Sequence, residues 1–208
     1  MAGVGQSWRT IEEVLWENSH SVYRALRKPV SAAQLARLVA LVPAKLPRNF
    51  VQSLKIHDGL RDSYLGPVRL FDYFALMPVN AIVAEYKMIC ELQTSDPLGG
   101  SQAGADAAIR NDARFRPGWV PFMDADGDKL VFDLDPAPGG TVGQVFRWCN
   151  TGSTRLEVLS RSFGEWLAGL AEALDKRRFG LDIYGGIWLG GVPGAERVAV
   201  VDGENVDE

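Results

Sequence analysis

Five aspartates fall within one short stretch: Asp124, Asp126, Asp128, Asp133 and Asp135. Their spacing could serve two kinds of chemistry. Asp124, Asp126 and Asp128 stand where the first, third and fifth ligands of a calcium-binding loop would stand. The remainder of that loop does not follow. Its sixth position needs glycine for the sharp turn and is Lys129, and its twelfth, a bidentate glutamate, is Asp135. Asp133 and Asp135 are spaced to share one face of a strand, as a carboxylate pair for acid–base or hydrolytic work would be. Such a pair also needs a cleft and a nucleophile or metal, and the neighbouring residues supply neither. Capping of the turn that Pro136 begins is the simpler use.

The other reactive groups add little. His20 and His57 are the only histidines, and Cys90 and Cys149 the only cysteines, too few for a histidine-rich metal site or a disulfide framework. Gly139-Gly140-Thr141-Val142-Gly143 is rich in glycine but lacks the Lys-Ser/Thr ending of a phosphate loop and the helix that should follow it. No catalytic residue, metal ion or cofactor is expected. Trp119 and Trp148 are either core anchors or exposed interface anchors, since tryptophan is enriched in binding hot spots.

The aspartates need a scaffold, and the sequence supplies a hairpin. Trp119-Val120-Pro121-Phe122 and Leu130-Val131-Phe132 are aromatic and β-branched runs of strand length. Asp124-Ala125-Asp126-Gly127-Asp128 between them is turn chemistry, because glycine accepts positive φ and aspartate bonds nearby amides. A Pro/Gly-rich return then leads into a third strand, Gln144 to Trp148. Leu156 to Leu159 predicts a further strand, with Asn150 to Ser153 as the turn between the two. Tyr64 to Met77 also alternates as strands, interrupted by Gly66-Pro67.

Helices flank these strands. One is predicted from about Trp8 to Leu26, with Ile11, Val14, Leu15, Val22, Ala25 and Leu26 inward and Thr10/Glu13 as a capping box. A second begins at the capping box Ser31/Gln34, turns Leu35, Leu38, Val39 and Val42 inward, and stops at Pro43. A short third follows Leu46-Pro47 with Phe50, Val51 and Leu54 inside, ending near His57-Asp58-Gly59. A fourth opens at Pro78 or Asn80 and runs to about Leu92, burying Ile82, Val83, Tyr86, Ile89 and Cys90. Ser162 caps the last, Phe163 to Lys176. Gln93 to Ala105 is low in complexity and is expected to be a mobile loop. Helices, then strands, then a helix predict an α+β fold: an antiparallel or mixed sheet of about five to six strands, covered on one side by N-terminal and C-terminal helices.

The totals agree with one such domain. The chain has 208 residues, is 47% hydrophobic and carries 6 Trp and 9 Phe, enough for a real core. Its net charge of −4 equals the charge of Asp202, Glu204, Asp207 and Glu208 at the end of the chain. That leaves no basic footprint for nucleic acid. No signal peptide and no apolar run of membrane-spanning length is present, so a cytoplasmic location is expected. Residues 1–178 read as the domain and 179–208 as a glycine-rich and acidic extension, in which Arg197 to Val201 could add an edge strand.

An ordered set of short motifs resembles the SUKH superfamily, of the Smi/Knr type: a fungal cell-wall assembly and killer-toxin-resistance regulator and its bacterial relatives. The set comprises Leu46-Pro47 with Phe50 and Leu54 leading to His57-Asp58-Gly59; Gly118-Trp119-Val120-Pro121-Phe122; Asp126-Gly127-Asp128; Asp133-Leu134-Asp135-Pro136; Gly139-Gly140-Thr141 with Gly143-Gln144-Val145; and Ser162-Phe163 with Trp166-Leu167. The resemblance implies a non-catalytic domain that works by binding other proteins. Bacterial relatives are commonly immunity proteins that neutralise a cognate toxin, often a nuclease; fungal relatives act as scaffolds in cell-wall signalling. A chain this close to the bare domain is expected to be an immunity protein whose partner is a toxin. A regulatory adaptor in envelope or cell-wall signalling comes second, and a metal-assisted hydrolase using Asp124 to Asp135 third. The residues expected to meet a partner are Trp119, Asp124, Asp126, Asp128, Asp133, Asp135 and Gln144.

Overall fold

The computed structural model describes residues 2–61, 68–95, 104–149, 155–181 and 186–189. Four helices come first: α1 (Val4–Asn18), α2 (His20–Ala25), α3 (Ala32–Leu41) and α4 (Arg48–Leu54). Then follow β1 (Ala75–Leu76), α5 (Val79–Ser95), β2 (Trp119–Ala125), β3 (Asp128–Asp133), β4 (Gln144–Trp148), β5 (Val158–Ser160) and α6 (Phe163–Asp175). A short hairpin, β6 (Gly180–Leu181) and β7 (Ile187–Trp188), closes the described chain. Strands β1 to β5 form one antiparallel sheet in sequence order, so the fold is α+β as expected.

Two helix expectations change. The first helix is two, broken at Ser19, whose φ of −144° and ψ of 72° leave the helical region. The Ser19 amide still reaches the Leu15 carbonyl at 2.8 Å, and His20 Nδ1 lies 3.3 Å from the Trp16 carbonyl, the acceptor that the next amide of a continuous helix would use. The helix starts at Val4 after Gly3, which places Thr10 and Glu13 inside it rather than at a cap. In α3 the Ser31/Gln34 capping box is present as predicted, and Leu38 and Val42 are buried, but Val39 is exposed. Of the strands expected between Tyr64 and Met77, residues 62–67 lie outside the described residues, and the rest gives β1 and a bridge between Phe71 and Phe74.

The sheet is covered on both faces, not one. Val120, Phe122, Leu130, Phe132 and Val145 point into the main core with Phe50 of α4 and Phe163, Leu167 and Leu170 of α6. Phe50 sits 4.8 Å from Phe132 and 5.1 Å from Phe163 between ring centres. On the opposite face Trp119, Val131, Phe146 and Trp148 pack with Ile89, Ile109, Phe115 and Leu156. The second cover comes from the end of α5 and the segment 104–118, in which Trp148 Nε1 donates to the Arg114 carbonyl at 2.7 Å. Unbroken apolar runs in β2 and β3, rather than alternation, are what two-sided burial requires.

Long-range polar contacts lock the helices to this frame. Asp58 Oδ1 accepts from the Val79 amide at 2.8 Å and so satisfies the start of α5 from a distant turn. Gly59 in that turn has φ of +71°, and a Cβ there would lie 2.4 Å from the Pro78 nitrogen. Trp8 Nε1 donates to Ser53 Oγ at 2.8 Å, tying α1 to α4. The described part of the segment expected as an extension packs on the body. Ile187 is fully buried, and the Leu189 amide donates to Asp72 Oδ1 at 2.9 Å. The strand expected at Arg197 to Val201 and the turn expected at Asn150 to Ser153 lie outside the described residues, as does most of the loop expected after Gln93.

Candidate protein-binding surface

The tip of the β2–β3 hairpin is a two-residue turn at Asp126 and Gly127, with φ of 51° and 105°. Positive φ at both central residues matches the twist of the flanking strands. Around this turn each aspartate faces a cation of its own. Asp124 meets Lys129, which also lies 3.0 Å from Glu85 of α5. Asp126 lies 3.4 Å from Arg69, and Asp128 lies 2.7 Å from Arg147 of β4. Three divergent ion pairs aim the carboxylates apart, unlike the convergent oxygens that a calcium loop requires.

Lys129 is the unexpected member. It is buried between two carboxylates, and its ammonium holds α5 against the hairpin. From Glu85 the outer face of α5 continues through Met88 and Leu92, at a spacing of three and then four residues that keeps them on one side. Met88 is 46% exposed and Leu92 59%. A groove of about 350 Å³ lies to one side, floored by Ile89, Phe115 and Trp148 and edged by Gly127 and Lys129. A second, of about 360 Å³, lies to the other, between Leu76, Met77 and Ala81 and edged by Asp124. The result is an apolar ridge flanked by two grooves and an acidic hairpin tip. Sequence reasoning singled out the aspartates but missed Glu85, Met88, Leu92 and Lys129. The signal available was the i, i+3, i+7 spacing of Glu85, Met88 and Leu92, which runs alongside the buried stripe of Ile82, Tyr86 and Ile89.

The remaining expected contact residues sit elsewhere. Trp119 is 0% exposed inside the second core, so the expectation that it reaches a partner is corrected; Trp148 is buried as well. Asp133 and Gln144 are also buried and face each other across β3 and β4. Gln144 Nε2 donates to Asp133 Oδ2 at 3.2 Å and to the Ala108 carbonyl at 2.9 Å, while its Oε1 accepts from the Thr141 amide at 3.0 Å. Asp133 Oδ1 accepts from the Asp135 amide at 2.9 Å. Together these bonds pin the Pro/Gly-rich return. Burial raises the Asp133 carboxyl from the ordinary 3.8 to about 6, only partly offset by those hydrogen bonds. Asp135 does not share its face, because β3 ends at Asp133. Exposed, it pairs with Arg116 at 2.8 Å and Arg110 at 3.4 Å. The carboxylate pair is thus divided into a buried pin and a surface ion pair.

His57 is held on both ring nitrogens, at 2.9 Å from the Arg27 carbonyl and 2.9 Å from Glu12. Among the described residues no three His, Cys, Asp or Glu side chains are placed to share a metal ion. Nor is any helix of the described residues long and apolar enough to cross a membrane.

A sequence model of the SMI1 / KNR4 family (SUKH-1) matches residues 29–169. The chain belongs to this family. It is similar to the cell wall biosynthesis/cell cycle regulator smi1 of Schizosaccharomyces pombe, with 27% identity over 191 residues, covering 86% of this chain and 38% of that protein. It is also similar to a glucan synthesis regulatory protein of Neurospora crassa, with 25% identity over 213 residues, 86% of this chain and 40% of that protein. The chain spans about two fifths of the length of these relatives. Both are named as regulators, not as enzymes.

Proposed function

We propose that this chain is a non-catalytic, cytoplasmic protein-binding domain that regulates cell-wall or glucan synthesis by holding partner proteins on the α5 ridge and the acidic hairpin tip. One observation carries the reading: Met88 and Leu92 stand exposed between two grooves, on a helix fixed to the hairpin by the buried Lys129. Exposed apolar side chains rimmed by charge are what a protein interface presents before its partner arrives. The names of both relatives supply the pathway. Neither is named for immunity to a toxin, so regulation, second in the sequence-based expectation, moves ahead of toxin neutralisation.

The test is retention of partners by the tagged chain expressed in its own organism, identified by mass spectrometry. Several wall-synthesis or signalling proteins at substoichiometric levels support regulation. A single stoichiometric protein with a toxin domain would overturn it in favour of immunity.

A further inference from the structure

A second face of the molecule carries recognition chemistry of a different kind. Helices α1 and α2 precede residue 29, where the family match begins. The break at Ser19 folds α2 back so that Tyr23 meets Trp16 edge-on at 5.1 Å, with His20 at 4.2 Å from the same indole. Trp16 is nonetheless 57% exposed. A cavity of about 310 Å³ opens beside it, lined by Arg9, Glu12, Glu13, Trp16, Glu17 and Tyr23. Glu12 is engaged by His57, and Glu17 by Arg177 at 2.8 Å. Glu13 meets no cation within ion-pair distance among the described residues, and Arg9 turns its guanidinium to Gln6. An electron-rich aromatic surface therefore adjoins an uncompensated carboxylate.

We infer that this face docks a partner protein through an arginine side chain, stacked on Trp16 and paired with Glu13. Charge complementarity selects the occupant. A guanidinium lies flat on an indole and forks to a carboxylate at its edge, which a lysine ammonium does less well and an acidic segment cannot do at all. The carboxylates equally repel a phosphate backbone. Lying on the N-terminal helix pair, the face is separate from the α5 ridge, so one molecule can hold two partners of different chemistry.

The test uses the full chain and a short fluorophore-labelled peptide alternating arginine and glycine, followed by fluorescence anisotropy at low salt. Expected are saturable binding, weaker binding of the lysine counterpart and none of the glutamate counterpart. Trp16→Ala and Glu13→Gln are each expected to weaken arginine-peptide binding about tenfold or more. Both variants keep the acidic C-terminal residues, so non-specific attraction to those residues is the same in all three proteins. Retention of affinity within about twofold in both variants would overturn the inference. So would equal binding of the glutamate peptide.

Discussion

Lys129 shows how one side chain can carry a surface. It occupies the sixth position of what resembled a calcium loop, and instead of a ligand-free glycine it places a cation between Asp124 and Glu85. Lys129→Met keeps the apolar stem but leaves both carboxylates without their cation. Because these are partly exposed and can reach water, the expected loss of stability is about 2 kcal/mol, below the ~3–5 kcal/mol of a fully buried broken pair. Urea unfolding at neutral pH measures it. Asp133 makes a second residue-scale prediction. Its raised carboxyl keeps a proton in the folded chain between about pH 4 and pH 6, where the unfolded chain has already released it. The folded state therefore binds more protons there, and the contribution of this group to stability falls as pH rises through the window. Asp133→Asn does not titrate. Its stability relative to the wild type is expected to improve by on the order of 2 kcal/mol from pH 4 to pH 7. A difference that stays constant across that range would show that Asp133 is not the buried acid described here.

At the scale of elements, close approach sets the order of α4, the turn after it, and α5. Gly59 has no room for a side chain against Pro78 and also holds a left-handed φ. Gly59→Ala is expected to cost about 3 kcal/mol or more, by clash and backbone strain together. Ser31→Ala removes only a cap on an exposed helix and is expected to cost about 1 kcal/mol. Thermal unfolding of the two variants side by side checks the ranking. Much of this scale was legible in the sequence. Ser31/Gln34, Ser162 and the Asp126-Gly127 turn are local signals whose chemistry is complete within a few residues. What escaped was non-local. The break at Ser19 falls inside a run whose apolar stripe continues across it from Leu15 to Val22. The cover on the second face of the sheet comes from Ile109 and Phe115, isolated apolar residues in a segment with no periodicity to betray it. Likewise, the aspartate spacing could not tell Asp133, which the sheet buries, from Asp135, which lies just past the end of the strand.

Across the described residues the sheet is sealed on both faces, and the proposed recognition groups lie at its periphery. The sequence-based expectation placed the partner on the motif residues themselves, including Trp119 and Gln144. In the fold those two are internal: Trp119 fills the second core, and Gln144 with Asp133 holds the return between β3 and β4. The surfaces proposed for a partner are the hairpin tip, the ridge of α5 and the aromatic face of α1 and α2. Motif resemblance therefore identified the family, and of its motifs the Asp126-Gly127-Asp128 turn lies on the proposed surface while the α5 ridge lies outside the set. The most direct measurement is a quantitative pull-down in the source organism comparing the tagged wild type with Met88→Glu/Leu92→Glu. Both substituted positions are exposed, so the double variant is expected to show an unchanged melting temperature and to lose the wall-synthesis partners that the wild type retains. A folded double variant that retains the same partners at the same level would contradict the assignment of the α5 ridge as the binding surface.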